Sequence, residues 1–283
     1  MADAAHSLPR VLSIAGSDSG GGAGIQADLK AFARCGVHGM TAITAQNTVA
    51  VTGVWPLPGD AIRAQIAAVA EDIGVDAIKI GMLGTAATIE AVAAALDLVP
   101  DAPVVLDPVM VSESGARLLD EDARSALVEL LLPRATVVTQ NVPEAEVLAG
   151  AEPGTAPERL AEAVLALGPR TVVVTGGHRE QATDLFHDGA RLVEIPGARV
   201  PDGAAHGSGC THSSALASFL AHGFDPLEAA RRAKLVAAAA VAAGLREIGA
   251  GAGPVDVLGV RDRASAPAIQ ARSAPPDHLG RLT

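Results

Sequence analysis

The chain of 283 residues contains no tyrosine, and aromatic residues make up only 2% of it. Proteins that read single-stranded nucleic acids usually stack the bases on aromatic side chains, so no such surface is expected here. Positive charge is also scarce, because the formal net charge is −11 at pH 7. Nucleic-acid backbones are bound by basic patches. These two shortages argue against a nucleic-acid partner.

Cysteine is scarce as well, since only Cys35 and Cys210 are present. Two thiols are too few for a disulfide framework and suit a reducing cytoplasm. No continuous apolar run approaches the roughly 18 residues of a membrane span. The stretch from Met1 to Arg10 lacks the apolar region of a signal peptide. The expectation is a cytoplasmic protein without a membrane partner.

Hydrophobic residues are abundant, at 49% of the chain, which is ample for a large core. Short β-branched runs alternate with longer segments rich in alanine and leucine, a pattern typical of a largely parallel sheet with helices on both faces. The strand-like runs begin at Val11, Ala42, Ala77, Val104, Thr136 and Thr171. Two further runs, around Asp188-Gly189, predict an antiparallel hairpin near the end of the sheet. The predicted class is therefore α/β.

The connections between these elements look short, which predicts a single domain over residues 1–260. The remaining residues, 261–283, are rich in Ala, Pro, Ser and Arg and show no apolar period. Such a segment cannot bury enough apolar surface to fold, so we expect a disordered tail.

The segment Gly207-Ser208-Gly209-Cys210 stands just before a helical run. Glycines let successive N–H groups converge, and the start of a helix carries partial positive charge, so this turn is suited to an anion. A thiol at a helix start becomes more acidic and can act as a general base. A glycine-lined junction with a buried cysteine is the alternative interpretation. A Walker A loop is excluded because no Gly-Lys-Ser/Thr ending is present.

A second glycine cluster runs from Gly16 to Gly24, after the first strand, and leads into a helix. Loops at the carboxyl ends of strands bind ligands in open α/β sheets, and this one lacks bulky side chains that would keep a substrate away. Its glycines do not follow the dinucleotide-binding spacing. A mobile surface loop is the competing interpretation.

Polar residues also follow several strands. Gln46 offers one acceptor and two donors, enough to pair with an aminopyrimidine edge, but a polar strand-end residue satisfied by backbone is the more usual situation for such an amide. Asp107, Asn141 and Glu144 follow two strands that end at the same sheet edge, where they can hold Mg²⁺ and phosphates or simply cap turns and helices. Met82 can form an apolar wall for a flat ring or belong to the core.

Taken in order, the segments AGSDSGGGAGIQADLK, AQNT, KIGML, LDPVM, NVPEA, GGH and HGSGC resemble the hydroxymethylpyrimidine and phosphomethylpyrimidine kinase family of thiamine biosynthesis. The resemblance extends from about Val11 to Val257. It implies a ribokinase-like three-layer α/β/α sandwich, ATP and Mg²⁺ as cofactors, a homodimer, and two successive phosphorylations of 4-amino-5-hydroxymethyl-2-methylpyrimidine. Many ribokinase-like relatives carry Asp where this chain has Cys210, which favours the pyrimidine kinases over sugar kinases.

The resemblance also implies roles for individual residues. The pyrimidine site would be lined by Gly16, Ala23, Asp28, Gln46, Met82 and Val109. Asp107 and Glu144 would bind the metal, while Asn141, Thr175 and Gly177 would approach the nucleotide. Gly207, Ser208 and Gly209 would form the anion hole, meaning the set of backbone amides around the transferred phosphate, and Cys210 would activate the substrate hydroxyl.

One departure concerns Thr175, which stands where the family often has Lys and removes a cation expected near the nucleotide phosphates. Two other functions stay open. A pyridoxal kinase of the same superfamily would bind a ring of similar size and shape. A non-catalytic pyrimidine-binding regulator would explain the missing lysine.

Overall fold

The structure is a computed structural model that describes residues 8–47, 53–110, 118–119, 121–177, 182–200, 203–249 and 251–264. Nine strands are present in these ranges: β1 (Arg10–Asp18), β2 (His38–Asn47), β3 (Val54–Pro56), β4 (Ala77–Ile80), β5 (Val104–Leu106), β6 (Val137–Asn141), β7 (Val172–Thr175), β8 (Asp184–His187) and β9 (Leu192–Ile195). The helices there are α1 (Gly24–Arg34), α2 (Gly59–Asp72), α3 (Ala86–Ala95), α4 (Glu121–Ala126), α5 (Val142–Ala149), α6 (Pro157–Leu165), α7 (Ser208–Ala221), α8 (Pro226–Ala242) and α9 (Val260–Ala264).

All nine strands form one sheet, in the order β3-β2-β1-β4-β5-β6-β7-β8-β9. The six strands from β2 to β7 in this order are parallel neighbours, whereas β3 at one edge and β8 and β9 at the other pair antiparallel. The order reverses direction at β1, from which the chain first moves outward to β2 and then crosses to β4. In open α/β sheets such a reversal opens a crevice at the carboxyl ends of the strands.

The sheet is covered on both faces, because alternate strand residues point to opposite sides. Leu12 and Ile14 of β1 pack with α2 and α3 in the larger core cluster, while Val11 packs with α1, α7 and α8 in the second cluster. The expected three-layer α/β/α sandwich with a mostly parallel sheet and an antiparallel hairpin is confirmed.

Two details differ from the sequence-based expectations, and a third, the capping of α5, matches the alternative given for Asn141 and Glu144. The short edge strand β3 was not predicted, because three exposed residues carry no burial pattern. Helix α5 begins directly after β6, where its capping box sets the start. In the segment expected to be disordered, residues 260–264 form α9, since the Asp256 carboxylate accepts hydrogen bonds from the Val260 and Arg261 amides. Residues 265–283 lie outside the described ranges.

Across the described ranges, no helix is both long enough and apolar enough to cross a bilayer.

Candidate active site

The turn before α7 has the geometry of an anion-binding helix start. Gly207 is the N-cap residue with φ of 81°, a left-handed conformation that favours glycine, and α7 begins at Ser208. No side chain caps this helix end, so its first amides are free of side-chain acceptors. The preceding residue, His206, is held by backbone hydrogen bonds with Gly253 and Val255. The Ser208 amide donates to the Ala205 carbonyl at 2.9 Å, so of the expected anion hole the amides of Gly207, Gly209 and Cys210 are the ones left for a ligand.

The first glycine segment packs directly against this turn. A Cβ placed on Gly207 would lie 1.8 Å from the Gly22 carbonyl oxygen, and one placed on Gly22 would lie 2.1 Å from the His206 ring. Both glycines are thus required by close approach of the two segments. The expectation of a mobile surface loop does not describe this segment, because it is closed against the start of α7.

Asp18, at the end of β1, organises the glycine segment. Its carboxylate accepts hydrogen bonds from the amides of Gly20, Gly22 and Ala23, and the His206 ring lies 3.4 Å away. Burial acts to raise the pKa of Asp18, but His206 and the three amides outweigh it and lower that pKa to about 2. The carboxylate is therefore charged at neutral pH and holds the loop.

Cys210 lies in the first turn of α7, and the Gly24 amide, at the start of α1, is close enough to act on the pKa of its thiol. Two helix starts therefore meet at its sulfur. The prediction that this thiol is unusually acidic is nevertheless wrong, because burial raises the pKa of Cys210 to about 12. Lys79 and the Gly24 amide act to lower that pKa, whereas Asp28 and Asp107 raise it further. The thiol is protonated at neutral pH.

Beneath Cys210 lies a buried ion pair that sequence analysis did not find. Lys79 Nζ is 2.9 Å from Asp28 Oδ1 and 3.1 Å from Oδ2, and both side chains are fully buried. The hydroxyls of Ser13 and Ser214 donate to the same carboxylate at 2.6 and 2.8 Å. Asp28 thus has both oxygens occupied and lies behind the surface on which the resemblance placed it.

The acidic residues after β5 and β6 come together as expected from the shared sheet edge. Asp107 is buried, accepts a hydrogen bond from Ser213 at 2.9 Å, and has a pKa raised by that burial. Glu144 and Asn141 form the capping box of α5, with distances of 3.0 and 2.9 Å. Burial first, and the charge of Asp107 second, raise the pKa of Glu144 to about 7.

These two carboxylates fit a magnesium ion that is completed by phosphates. Their mutual repulsion, which raises the pKa of Glu144, is the kind of excess negative charge that a divalent cation relieves. Within the described ranges no group of three or more acidic, His or Cys side chains forms a full metal cage. Mg²⁺ does not need one, since it commonly uses one or two carboxylates together with water and substrate phosphates.

Gly16 and Met82 adjoin each other at the ends of β1 and β4. A Cβ on Gly16 would lie 2.8 Å from the Met82 methyl carbon and 3.3 Å from the Asn47 amide nitrogen. Asn47 Nδ2 contacts the Met82 sulfur at 3.3 Å, and its Oδ1 is buried without a partner among the described residues. Asn47 was missed in the sequence, where only the amide beside it was singled out.

Gln46 is the penultimate residue of β2, has an exposed side chain, and pairs with Ser17 of β1 and Trp55 of β3. Paired residues share one face of a sheet, so Gln46 faces away from Asn47 and Met82. Val109 is partly buried and follows Asp107 by two residues, while Ala23 is the N-cap of α1. Among the predicted pyrimidine residues, the structure shows close approach between Gly16 and Met82.

On the predicted nucleotide side, Thr175 is the last residue of β7, and its hydroxyl lies 3.4 Å from the Gln140 carbonyl oxygen of β6. Gly177 is exposed. His178, which follows them, lies outside the described residues. A buried cation is nearby, since Asp184 Oδ1 accepts from both the Gly176 amide and Lys234 Nζ, at 2.9 and 2.6 Å.

Comparison with known proteins agrees with this geometry. The family model described as phosphomethylpyrimidine kinase matches residues 18–256. The chain belongs to the phosphomethylpyrimidine kinase family. A hydroxymethylpyrimidine/phosphomethylpyrimidine kinase of Rhizobium meliloti is 50% identical to it over 253 residues, which cover 86% of this chain and 95% of the relative.

Solved structures are similar along most of the chain. The ADP complex of Bacillus subtilis pyridoxal kinase superposes with a TM-score of 0.82 at 38% identity, covering 90% of this chain and 99% of that one. The phosphomethylpyrimidine kinase of Clostridium difficile gives a TM-score of 0.71 at 38% identity, with coverage of 80% and 96%. The ribokinase-like kinase fold implied by the sequence motifs is thereby established.

In this member of the phosphomethylpyrimidine kinase family, the structure brings the two glycine segments, Cys210 and the acidic edge into one crevice. It places Asp28 and Lys79 behind that crevice.

Proposed function

We propose that this chain phosphorylates 4-amino-5-hydroxymethyl-2-methylpyrimidine with ATP, first to the monophosphate and then to the diphosphate, as a step in thiamine biosynthesis. The observation that carries the proposal is the contact between the glycine segment and the turn before α7, which encloses Cys210 between two helix starts. This arrangement occurs in a chain that is half identical to a kinase named for both of these reactions.

In the first reaction, the substrate hydroxyl oxygen attacks the γ-phosphorus of ATP. Cys210 first releases its own proton to solvent. The substrate O–H bond then breaks and its proton passes to the thiolate sulfur of Cys210, while a new O–P bond forms and the bond to the ADP oxygen breaks. The amides of Gly207, Gly209 and Cys210 donate to the equatorial oxygens of the transferred group, where negative charge is spread in the transition state.

A bound Mg²⁺ would neutralise phosphate charge during transfer. Asp107 and Glu144 are the residues that would hold it, and Asn141 keeps Glu144 oriented through the capping box. Because the pKa of the Cys210 thiol is about 12 even with Lys79 acting to lower it, only the deprotonated fraction of Cys210 can accept a proton. The second reaction differs, since a phosphate monoester is already ionised at neutral pH and depends on positioning and charge neutralisation.

The proposal predicts that purified protein with MgATP converts the hydroxymethylpyrimidine to both phosphorylated products, with ADP formed in matching amount. Products should be followed directly by mass, because ADP alone does not identify the acceptor. Omission of ATP is the control for contaminating phosphate donors. Tight pyrimidine binding in calorimetry without any product would instead support the non-catalytic regulator.

Pyridoxal is the second candidate substrate, because solved pyridoxal kinases superpose on this chain with TM-scores of 0.82. Gln46 favours the aminopyrimidine, since its amide can pair with an amino edge and a ring nitrogen. We expect Gln46→Leu to lower kcat/KM for the hydroxymethylpyrimidine by about 10- to 100-fold, the effect of about 1–3 kcal/mol from unmade hydrogen bonds. The value for pyridoxal should change much less.

Gln65→Leu is the matched control for this variant. Gln65 uses its amide to bind the Ile43 backbone from α2, so its replacement should affect stability rather than substrate choice. An unchanged ratio of the two kcat/KM values in Gln46→Leu would contradict the assignment of Gln46 as the residue that reads the ring.

A further inference from the structure

The pair formed by Lys79 and Asp28 is buried where charge is costly. Neither side chain has any exposure, and burying an ion pair carries a desolvation penalty that apolar residues of the same size would avoid. The Asp28 carboxylate also accepts hydrogen bonds from two serine hydroxyls, one on β1 and one on α7. Packing alone does not explain a buried ion pair beside a candidate active site, because perturbed charged groups cluster at functional sites.

The position of the ammonium supplies that reason. Lys79 is on β4, between β1 and β5, and its Nζ lies 2.6 Å from where a Cβ on Gly81 would be, in the segment that lines the crevice. The acidic groups that face it are Asp28 from α1, Asp107 after β5 and Cys210 from α7. Burial acts to lower the pKa of Lys79, but these three groups outweigh it and raise that pKa, so the side chain stays charged.

Ser214 follows Cys210 by one turn of α7 and donates to Asp28 Oδ1 at 2.8 Å, the oxygen that Lys79 Nζ also binds at 2.9 Å, so the ion pair lies under the turn that carries the thiol. Lys79 is the charged side chain on the described elements that favours an anion at this sulfur, while Asp28 and Asp107 oppose it. Asp28 fixes the ammonium, and Ser13 and Ser214 partly neutralise the carboxylate by donating to it. The ammonium is thereby held beneath the thiol, with no freedom to turn toward solvent.

We propose that Lys79 is a positioning residue for the first phosphorylation. Its fixed positive charge stabilises the Cys210 thiolate, the form that accepts the substrate proton. This role rests on the proposed function, and it adds a group for which the family resemblance implied no role. It also accounts for the Asp28 position, which holds the lysine instead of contacting the pyrimidine.

The test measures Cys210 alkylation by iodoacetamide in a Cys35→Ser background, at a fixed pH above neutrality. Only the thiolate reacts, so the rate reports the anionic fraction. Removing a neighbouring charge shifts a pKa by about one unit or more, so Lys79→Met should slow alkylation at least about tenfold. Asp28→Asn should speed it, and the double variant Lys79→Met/Asp28→Asn should lie between wild type and Lys79→Met.

A purely structural role predicts the opposite sign. Loss of folding exposes the thiol and accelerates its alkylation, whereas loss of the charge slows it. The double variant keeps the proposal testable if Lys79→Met does not fold, because it leaves no unpaired buried charge. Lys234→Met removes another buried lysine from a pair with aspartate and is the matched control, for which no change at Cys210 is expected.

Turnover gives the second readout. In the double variant we expect kcat for the first phosphorylation to fall by about 10- to 100-fold, less than the roughly 10²- to 10⁴-fold contribution of a general base because Cys210 itself is retained, with less change in KM. The second phosphorylation should fall much less. Equal losses in both reactions, or an unaltered alkylation rate, would overturn the role of Lys79. Failure of the wild-type protein to form either product would instead reject the proposed function.

Discussion

The Cys210→Ala variant is expected to lose about 10²- to 10⁴-fold in kcat for phosphorylation of the hydroxymethylpyrimidine, the usual contribution of a general base. The monophosphate, in contrast, presents an oxygen that is already ionised near neutral pH. Its phosphorylation should fall by a far smaller factor, because the amides of the turn before α7 are retained. The measurement is the rate of each product, followed by mass with each substrate supplied separately.

Cys35→Ala is the matched control for this experiment. Cys35 is the other free cysteine, located at the end of α1, and burial raises the pKa of its thiol to about 11. Its replacement removes a similar side chain without touching the crevice, so both reactions should stay close to wild type. Equal losses in the two reactions of Cys210→Ala would mean that Cys210 does not act as the base.

Short-range patterns were sufficient to predict the fold. Alternating strand and helix segments encode the sheet because buried parallel strands are nearly continuous apolar runs, and β4 with its four buried residues is one of them. The glycine segments could be located for a similar reason. Some of their backbone conformations, such as φ of 81° at Gly207, favour glycine, so they can be recognised from the residue type.

The charges behind the site could not be predicted in the same way. Lys79 and Asp28 are 51 positions apart, and each has its own ordinary interpretation within its strand or helix. Only the packing of α1 and α7 on the same face of the sheet brings them together beneath Cys210. The pKa of that thiol follows from the same packing, so a helix start alone led to a prediction of the wrong sign.

The Asn47 side chain illustrates a further limit. Adjacent residues of a strand face opposite sides, but the irregular pairing between Ala15 and Ser17 shifts the register where β1 and β2 end. The side that each of the two amides occupies therefore depends on this irregularity. Sequence alone could identify a polar strand end and could not say which of the two amides contacts Met82.

Gly207→Ala is expected to impair both phosphorylations, in contrast to Cys210→Ala. An alanine at a left-handed φ costs about 1–2 kcal/mol. Its Cβ would also lie 1.8 Å from the Gly22 carbonyl oxygen, so the glycine segment and the turn before α7 must move apart. Loss of an aligned amide donor lowers kcat by about 10²- to 10³-fold, and we expect a fall of this order for both substrates.

Gly154→Ala separates the two causes of this effect. Gly154 has φ of 84°, close to that of Gly207, but a Cβ there would meet nothing within 4 Å. The two variants should therefore share the conformational cost, seen as a lower midpoint in urea unfolding, while only Gly207→Ala loses activity. If Gly207→Ala remained as active as Gly154→Ala, moving the glycine segment away from the turn before α7 would not affect phosphate transfer. The transferred phosphate would then not be held by this turn.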